Sequence, residues 1–520
     1  MKRRDFLQHA AASFLLPVLI DGYGAKAFTR ESAFMQALAG MAAANDHILV
    51  LIQLNGGNDG LNTVIPLDQL SLYTDKKLRG NIAIPEGKIL KLNNHAATGL
   101  HPAMTGMQQL FNDGKLSIIH SVSYPVPNFS HFRASDIWFT AADSDKTLTT
   151  GWMGRYLDGR YPEYPEKYPN ATMPDPLAVQ IGAVSSTALL GLGQPMGISL
   201  QDPDTFAQLV GDKPAIPPDG LPDTYAGRQV GFIRQQQTSS VQYAAQLKTA
   251  AGKGKNSATY PANNSLAAQL KIVARLIGGG LQTRVYYVTL GGFDTHAAQV
   301  DMNDTTVGNH ANLLKTLSDA VLGFQNDLKA MGMEDKVAGM TFSEFGRRAV
   351  SNNSFGTDHG VAAPLFVFGA AVKTQVIGVN PNLSDLDNNN IKMQHDFRQV
   401  YATMLDEWLG TDNAASGSPL FRNFDTVPVF RSEADSGTAQ RLRLFPNPAD
   451  TEVFAKSDAL ASGIRSVRVN DLRGYGFSPE SVAVDAQKIR LDTRSLPSGH
   501  YIVRVETNTA QLAGKLVVAH

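Results

Sequence analysis

His47-Ile-Leu-Val-Leu-Ile-Gln-Leu54 runs directly into Asn55-Gly-Gly-Asn-Asp-Gly60. A run so nearly all apolar reads as a strand buried on both faces, because a strand with one wet face would alternate. That places it inside a parallel sheet. The glycines behind it permit close backbone approach and positive φ, while Asn55 and Asp59 offer oxygen ligands or caps. A Gly/Asn loop alone says little. Its place at the end of a buried strand, where open α/β sheets bind ligands, gives it weight.

The pattern recurs along the chain. Residues 115–122 (KLSIIHSV) and 284–290 (RVYYVTL) are buried-type strands, and the second ends in Gly291-Gly-Phe-Asp294-Thr-His296. Val337-Ala-Gly-Met340 leads into Thr341-Phe-Ser-Glu344-Phe-Gly-Arg347-Arg348, and a Ser/Asn/Gly loop closes on Thr357-Asp358-His359-Gly360. Residues 364–369 form a further strand. Helical periodicity fills the intervals from 264, over 310–331 and over 397–409, with Gly410 as a stop. Residues 157–261, rich in Pro, Gly, Tyr and Gln, read as inserted loops with a helical cap near 225–248. Strands alternating with helices predict an α/β fold with a doubly wound parallel sheet.

Polar groups gather where the strands stop. Asp294 and His296, two apart, can turn toward one ion, and Glu344, Asp358 and His359 add carboxylate and imidazole of the kind that suits Zn²⁺ or Mn²⁺. After the second strand comes Tyr124-Pro-Val-Pro-Asn-Phe-Ser130-His-Phe-Arg133. Ser130 falls at or near a helix N-cap, where a hydroxyl serves as nucleophile or phosphate contact, and Arg133 offers a bidentate clamp for an oxyanion. Each feature alone also fits a plain role: a capping serine, a turn aspartate, a surface histidine. Four clusters along one sheet edge argue for a metal-assisted site.

Composition narrows the class. The 520 residues are 43% hydrophobic and 18% charged with net charge −1, which suits a large body plus a smaller unit and disfavours nucleic acid or an anionic membrane as partner. With no cysteine there are no disulfides, thiolate metal sites or Cys nucleophiles. Any divalent ion (Zn, Mn, Mg or Ca) must sit on His, Asp, Glu, Asn or hydroxyl groups. The apolar stretch near the start is too short and too polar to span a bilayer, and no other run reaches the ~18 apolar residues needed, so no transmembrane segment is expected in the mature chain.

Both ends carry address-like segments. Met1-Lys-Arg-Arg-Asp-Phe-Leu7, a mildly apolar stretch over 10–20 and Ala25-Lys-Ala27 resemble a twin-arginine export signal over 1–27, with a basic amphipathic helix as the alternative. Residues 431–440 (RSEADSGTAQ) read as a linker, and 441–520 as a small all-β sandwich with strands at 466–470, 488–491, 500–506 and 514–518. Its Phe445-Pro-Asn-Pro-Ala449, Leu496-Pro-Ser-Gly-His-Tyr501 and Lys515-Leu-Val-Val518 resemble the type IX secretion C-terminal sorting domain of Bacteroidota. That resemblance implies the type IX machinery as partner and a secreted or cell-surface protein.

Within a body taken as 28–430, residues from about 48 to 412 resemble an exported family known as domain-of-unknown-function family 1501. The matching segments include Gln53-Leu-Asn-Gly-Gly-Asn-Asp-Gly-Leu-Asn62, Asn128-Phe-Ser-His-Phe-Arg133, Gly292-Phe-Asp-Thr-His296, Phe342-Ser-Glu-Phe-Gly-Arg347 and Gly356-Thr-Asp-His-Gly360. More remotely, the layout is similar to the alkaline phosphatase and sulfatase superfamily. That similarity implies two divalent metals and Ser130 as nucleophile. Asp294, His296 and His359 would hold one ion. Asn55 or Asp59, with Ser130 and Glu344, would hold the other, and Arg133 or Arg347 would face the oxyanion. The chain departs from that pattern in having Asn55 where the superfamily has Asp, a tighter Asp294/His296 spacing, and Ser343-Glu344 in place of an Asp-His pair. The expectation is an exported metal-dependent hydrolase of phosphate or sulfate esters, acting on small-molecule or glycan esters. The alternative is a non-catalytic surface protein binding glycans or a partner on the same scaffold.

Overall fold

Every residue from Ile48 to Leu54 is buried although side chains on a strand alternate between faces, so both faces of this strand are covered. The computed structural model describes residues 45–192, 194–210, 216, 220–222, 224–411, 418–431, 440–471, 476–477 and 479–520, with two short strands, Pro17–Ile20 and Tyr23–Lys26. Those strands apart, the expected export signal lies outside the described residues, as do residues 432–439 of the linker expected over 431–440. The chain divides into two units, Met1–Val429 and Phe430–His520.

The body is built on β1 (Ile48–Asn55), β2 (Leu116–Ser123), β3 (Ala178–Ile181), β4 (Ile198–Leu200), β5 (Val285–Gly291), β6 (Val337–Phe342), β7 (Ala363–Phe368) and β8 (Gln375–Ile377). They lie side by side in the order β4-β3-β5-β1-β6-β7-β2-β8. Strand β1 pairs in parallel with β5 on one side, Gly291 opposite Asn55, and with β6 on the other, Phe342 opposite Gln53. The loops leaving these three strands therefore emerge together at one edge. All the pairings are parallel except those of β7, which runs antiparallel to β6 and β2. The sheet is thus mixed. No crossover helix separates β6 from β7; instead a hairpin, Gly346–Ser351 with Thr357–Gly360, returns the chain at the same edge, as an antiparallel neighbour requires. The region 157–261 departs from the reading as inserted loops, since it contributes β3 and β4 to the sheet.

The main helices of the body are α1 (His131–Thr140), α2 (Trp152–Arg160), α3 (Tyr225–Lys253), α4 (Ser265–Gly278), α5 (Asn309–Ala330) and α6 (Phe397–Thr403). In α5, Leu314, Leu317, Val321, Phe324 and Leu328 are fully buried at helical spacing, the apolar stripe of a helix laid on a core. Asn264 caps α4 by accepting from Ala267 N at 2.8 Å. Helices α1, α2 and α6 meet through stacked rings, Trp138 on Phe397 at 4.4 Å and Trp152 on Tyr401 at 3.9 Å. This packing fixes the start of α1, and with it His131.

The second unit holds a five-stranded sheet containing Ile464–Asp471, Gly499–Thr507 and Gln511–Val518, and a four-stranded sheet containing Glu452–Lys456, Ser481–Asp485 and Lys488–Asp492. Val453, Ile489 and Leu491 from one sheet and Val503, Val505, Leu512 and Leu516 from the other share one core, which makes it a sandwich. Among the described residues no helix is long and apolar enough to cross a membrane.

Candidate metal centre

Backbone proximity comes first. Gly56 and Gly57 adopt φ of +125° and +83°, and a Cβ on Gly56 would lie 2.3 Å from Asp294 N. Only glycine allows the loop after β1 to press this closely on the loop after β5. The contact sets Asp294 beside the end of β1.

Three imidazoles face Asp294, each tied at the far side of its ring. His131 Nδ1 lies 2.8 Å from Glu344 Oε1. His359 Nδ1 lies 2.8 Å from the Phe129 carbonyl oxygen. His296 Nδ1 lies 3.3 Å from Asp358 Oδ1. An acceptor behind Nδ1 places the ring proton there and leaves the Nε2 lone pair pointing inward, the usual arrangement of metal-binding histidine. Inside, His359 Nε2 is 3.1 Å and His296 Nε2 3.2 Å from Asp294 Oδ1, and His131 Nε2 is 3.4 Å from Asp294 Oδ2. The Nε2 atoms of His296 and His359 are 2.9 Å apart. Two lone pairs facing each other at that distance repel unless a cation stands between them. His131 Nε2 is a buried nitrogen with no hydrogen-bond partner. Ligand atoms of His131, Asp294 and His359 all lie within 4.8 Å of one another. These three offer two imidazoles and a carboxylate, a donor set suited to a divalent ion such as Zn²⁺ or Mn²⁺, and His296 stands beside His359.

Behind these groups is a buried support. Arg347 donates from Nε to Gly57 O at 2.8 Å, from Nη1 to Thr357 O at 2.9 Å, and from Nη2 to Gly56 O, to Phe293 O and to Asp294 Oδ1. One guanidinium thus joins the loop after β1, the loop after β5 and the hairpin. Burial would raise the Asp294 carboxyl, but the hydrogen bond and positive charge of Arg347 outweigh it, and the group is held down at about 2. Burial lowers His359, keeping its ring in the neutral form that ligates. Glu344 is 1% exposed, against 47% for Asp294. Its Oε1 accepts from Gly56 N at 2.9 Å as well as facing His131.

The expected residues divide accordingly. Asp294, His296, Asp358 and His359 come together, with the Asp358 carboxylate behind His296. Glu344, expected as a ligand, stands behind His131 instead and orients its ring. Asp59 is a correction: it is buried in an ion pair with Arg79 and accepts from Gln299 Nε2 at 2.5 Å, since a buried carboxylate needs its countercharge close by. Arg133 is a second correction, because its guanidinium pairs with Asp136 and the carbonyls of Ser144 and Lys146. Arg347 is a third: fully buried, it clamps Asp294 rather than offering donors to an oxyanion. Asn55 supplies its backbone carbonyl to Phe293 N at 3.1 Å, and its exposed side chain makes no described bond to the cluster. The second metal set therefore does not assemble among the described residues. Ser130 is the exposed N-cap of α1, its hydroxyl makes no capping bond, and it lies between Phe129 and His131 in the chain. His131 was not among the sequence candidates, although the segment Asn128–Arg133 contains it.

Residues 149–416, just over half of the chain, match a family model described as protein of unknown function (DUF1501), and 443–519 match the secretion system C-terminal sorting domain. Asp294, His296, Asp358 and His359 fall inside the first match and His131 outside it. No curated protein matches the chain. Among solved structures it is similar to the lipoteichoic acid synthase LtaP from Listeria monocytogenes, at 10% identity over 75% of this chain and 78% of that one, with a TM-score of 0.30. An alkaline phosphatase superfamily protein from Vibrio parahaemolyticus is 7% identical over 94% and 90%, with a TM-score of 0.33. The PsFucS1 sulfatase from Pseudoalteromonas sp. is 12% identical over 91% and 85%, at 0.32. At such scores these similarities add nothing to what the strand order establishes. The chain belongs to the DUF1501 family and ends in a secretion-system sorting domain.

Proposed function

We propose that the body is a metal-dependent hydrolase of phosphate or sulfate esters with a single ion site and Ser130 as nucleophile. The observation that carries this reading is the convergence of three tethered histidines on the ionised Asp294, next in sequence to an uncommitted serine hydroxyl. A divalent ion held by His131, Asp294, His296 and His359 would supply positive charge to the ester's oxygens. The rest falls to the chain's own groups. Ala134 N is the first amide of α1 to bond back, to Ser130 O, so the N–H groups of His131, Phe132 and Arg133 have no acceptor within the helix. They suit the anionic oxygens of an ester placed at Ser130. Ser130 Oγ would attack phosphorus or sulfur, the ester P–O or S–O bond would break, and the alcohol would leave with a proton. Water would then release the group from Ser130.

The sorting domain supports delivery by the type IX machinery to the cell surface or the medium. We keep the division into an export signal over 1–27, a body over 28–430, a linker over 431–440 and a tail over 441–520; the separation of the units after Val429 supports the split between body and tail.

Metal analysis of the full chain, purified without chelator, tests the reading. We expect one zinc or manganese ion per chain, lost in His359→Ala and kept in Ser130→Ala. The serine variant should lose hydrolysis of an aryl phosphate or sulfate by several orders of magnitude. A wild-type chain that takes up no ion from supplemented buffer would overturn the proposal and leave the same fold as a binding scaffold.

A further inference from the structure

The loop Tyr124-Pro-Val-Pro-Asn-Phe-Ser-His-Phe132 turns apolar side chains outward beside the most polar part of the body. Val126 is 79% exposed, Phe129 41% and Phe132 92%. Looseness does not explain this. Tyr124 is buried and its hydroxyl accepts from Asn128 N at 3.0 Å; Asn128 Oδ1 accepts from Ser130 N at 2.8 Å; and the Phe129 carbonyl is the acceptor behind His359. A braced loop holds these side chains in water.

Val126 carries a second sign. It sits at φ 54°, in the left-handed region that a β-branched residue avoids, and it stands between Pro125 and Pro127. Backbone strain held in a braced loop is a sign of function. Charge narrows what a ligand here can be. From Tyr124 to Ser130 no residue is charged, and Arg133, the nearest cation along the chain, is committed to Asp136 and backbone carbonyls.

We infer that Val126, Phe129 and Phe132 form the subsite for the alcohol half of the ester, and that this half is an uncharged ring, a pyranose or an aryl group. The inference rests on the hydrolase reading. With the reacting group at Ser130 and His131, the alcohol half lies over the residues on either side of them, Phe129 and Phe132. A ring laid on these side chains removes apolar surface of both partners from water and gains the face or edge contacts of an aromatic pair. A highly charged alcohol, such as a nucleotide or a polysulfated chain, would meet no countercharge on this loop.

Ligand-observed NMR on the metal-loaded full chain tests the subsite without relying on turnover. The probes are methyl β-glucopyranoside, phenol and phenyl β-glucopyranoside. Phe132→Ala, at a side chain in solvent, should weaken the ring probe that binds by roughly 10-fold, with Phe132→Tyr restoring it and ion content unchanged. Binding of the methyl glycoside identifies a sugar, and binding of phenol alone identifies an aryl group. On aryl esters the alanine variant should raise KM several times more than it lowers kcat, and the rise in KM should be far smaller on methyl phosphate, which has no ring. Equal binding of every probe by wild type and Phe132→Ala, or no binding by either, overturns the subsite. Hydrolysis with an unchanged KM leaves the hydrolase standing and removes the subsite. Lost ring binding in a chain that hydrolyses nothing does the reverse.

Discussion

Among the described residues, the tail buries apolar side chains around Val453, Ile489, Leu491, Val503 and Leu516, and its only buried polar side chains are Thr493 and Thr507. The body buries Asp59, Arg79, Glu344, Arg347 and His310 as well as its apolar core. Charge taken out of water costs several kcal/mol per ion and is repaid only by close partners, so buried ion pairs are weak evidence of stability. Their concentration under one sheet edge marks the place where position matters more than stability. The tail needs a fold that can be recognised, and plain hydrophobic packing is sufficient for that.

All three tryptophans, Trp138, Trp152 and Trp408, lie in the body, so tryptophan fluorescence follows that unit alone while circular dichroism follows both. The largest expected effect is that of Arg347→Met. Removing this guanidinium leaves Asp294 and four carbonyls without their donor, and should cost the body about 3–5 kcal/mol in denaturant unfolding. The tail transition should stay where it was. A shift of both together would show that the contrast between the units is false.

Acid comes next. Burial lowers His310 from the usual 6.5 to about 4. Between those values the unfolded chain binds a proton that the folded body refuses, so stability is full above pH 6.5 and falls as pH drops toward 4. For this one ring the loss is about 3 kcal/mol. In the tail, the bond to Asp450 raises His520, so its contribution is fully present below the usual 6.5 and is lost only above it, and the tail transition should be nearly flat across that window. A fluorescence transition independent of pH there would break the comparison. The smallest effect is expected of Ile489→Val, about 0.5–1.5 kcal/mol and confined to the tail, with metal content unchanged.

The sheet was legible because its strands announce themselves as apolar runs. The strands containing Val50, Tyr286 and Met340 were read near their observed limits, and the loops after them carry Asp294, His296 and His359. The antiparallel course of β7 was not legible, since an apolar run gives no direction, and the hairpin before it reads as a polar loop. Residue type also fails to name a partner. Asp59 looks like a ligand until Arg79, 20 positions later, is folded against it. Arg133 looks like a clamp until the helix brings Asp136 within reach. His131 was overlooked because the hydroxyl beside it drew the chemistry, although a histidine opening a helix at the sheet edge was there to be noticed.

Phe129 and His359 touch across 230 residues, and His131 and Glu344 across 213. In an extended chain these histidines lie far from one another and from the groups that orient their rings, and a free ion would meet each only singly and weakly. The cradle exists only once sheet, hairpin and helix have closed on one another. On the proposed reading, then, the ion is loaded after folding, and a chelator should empty the finished protein without unravelling it.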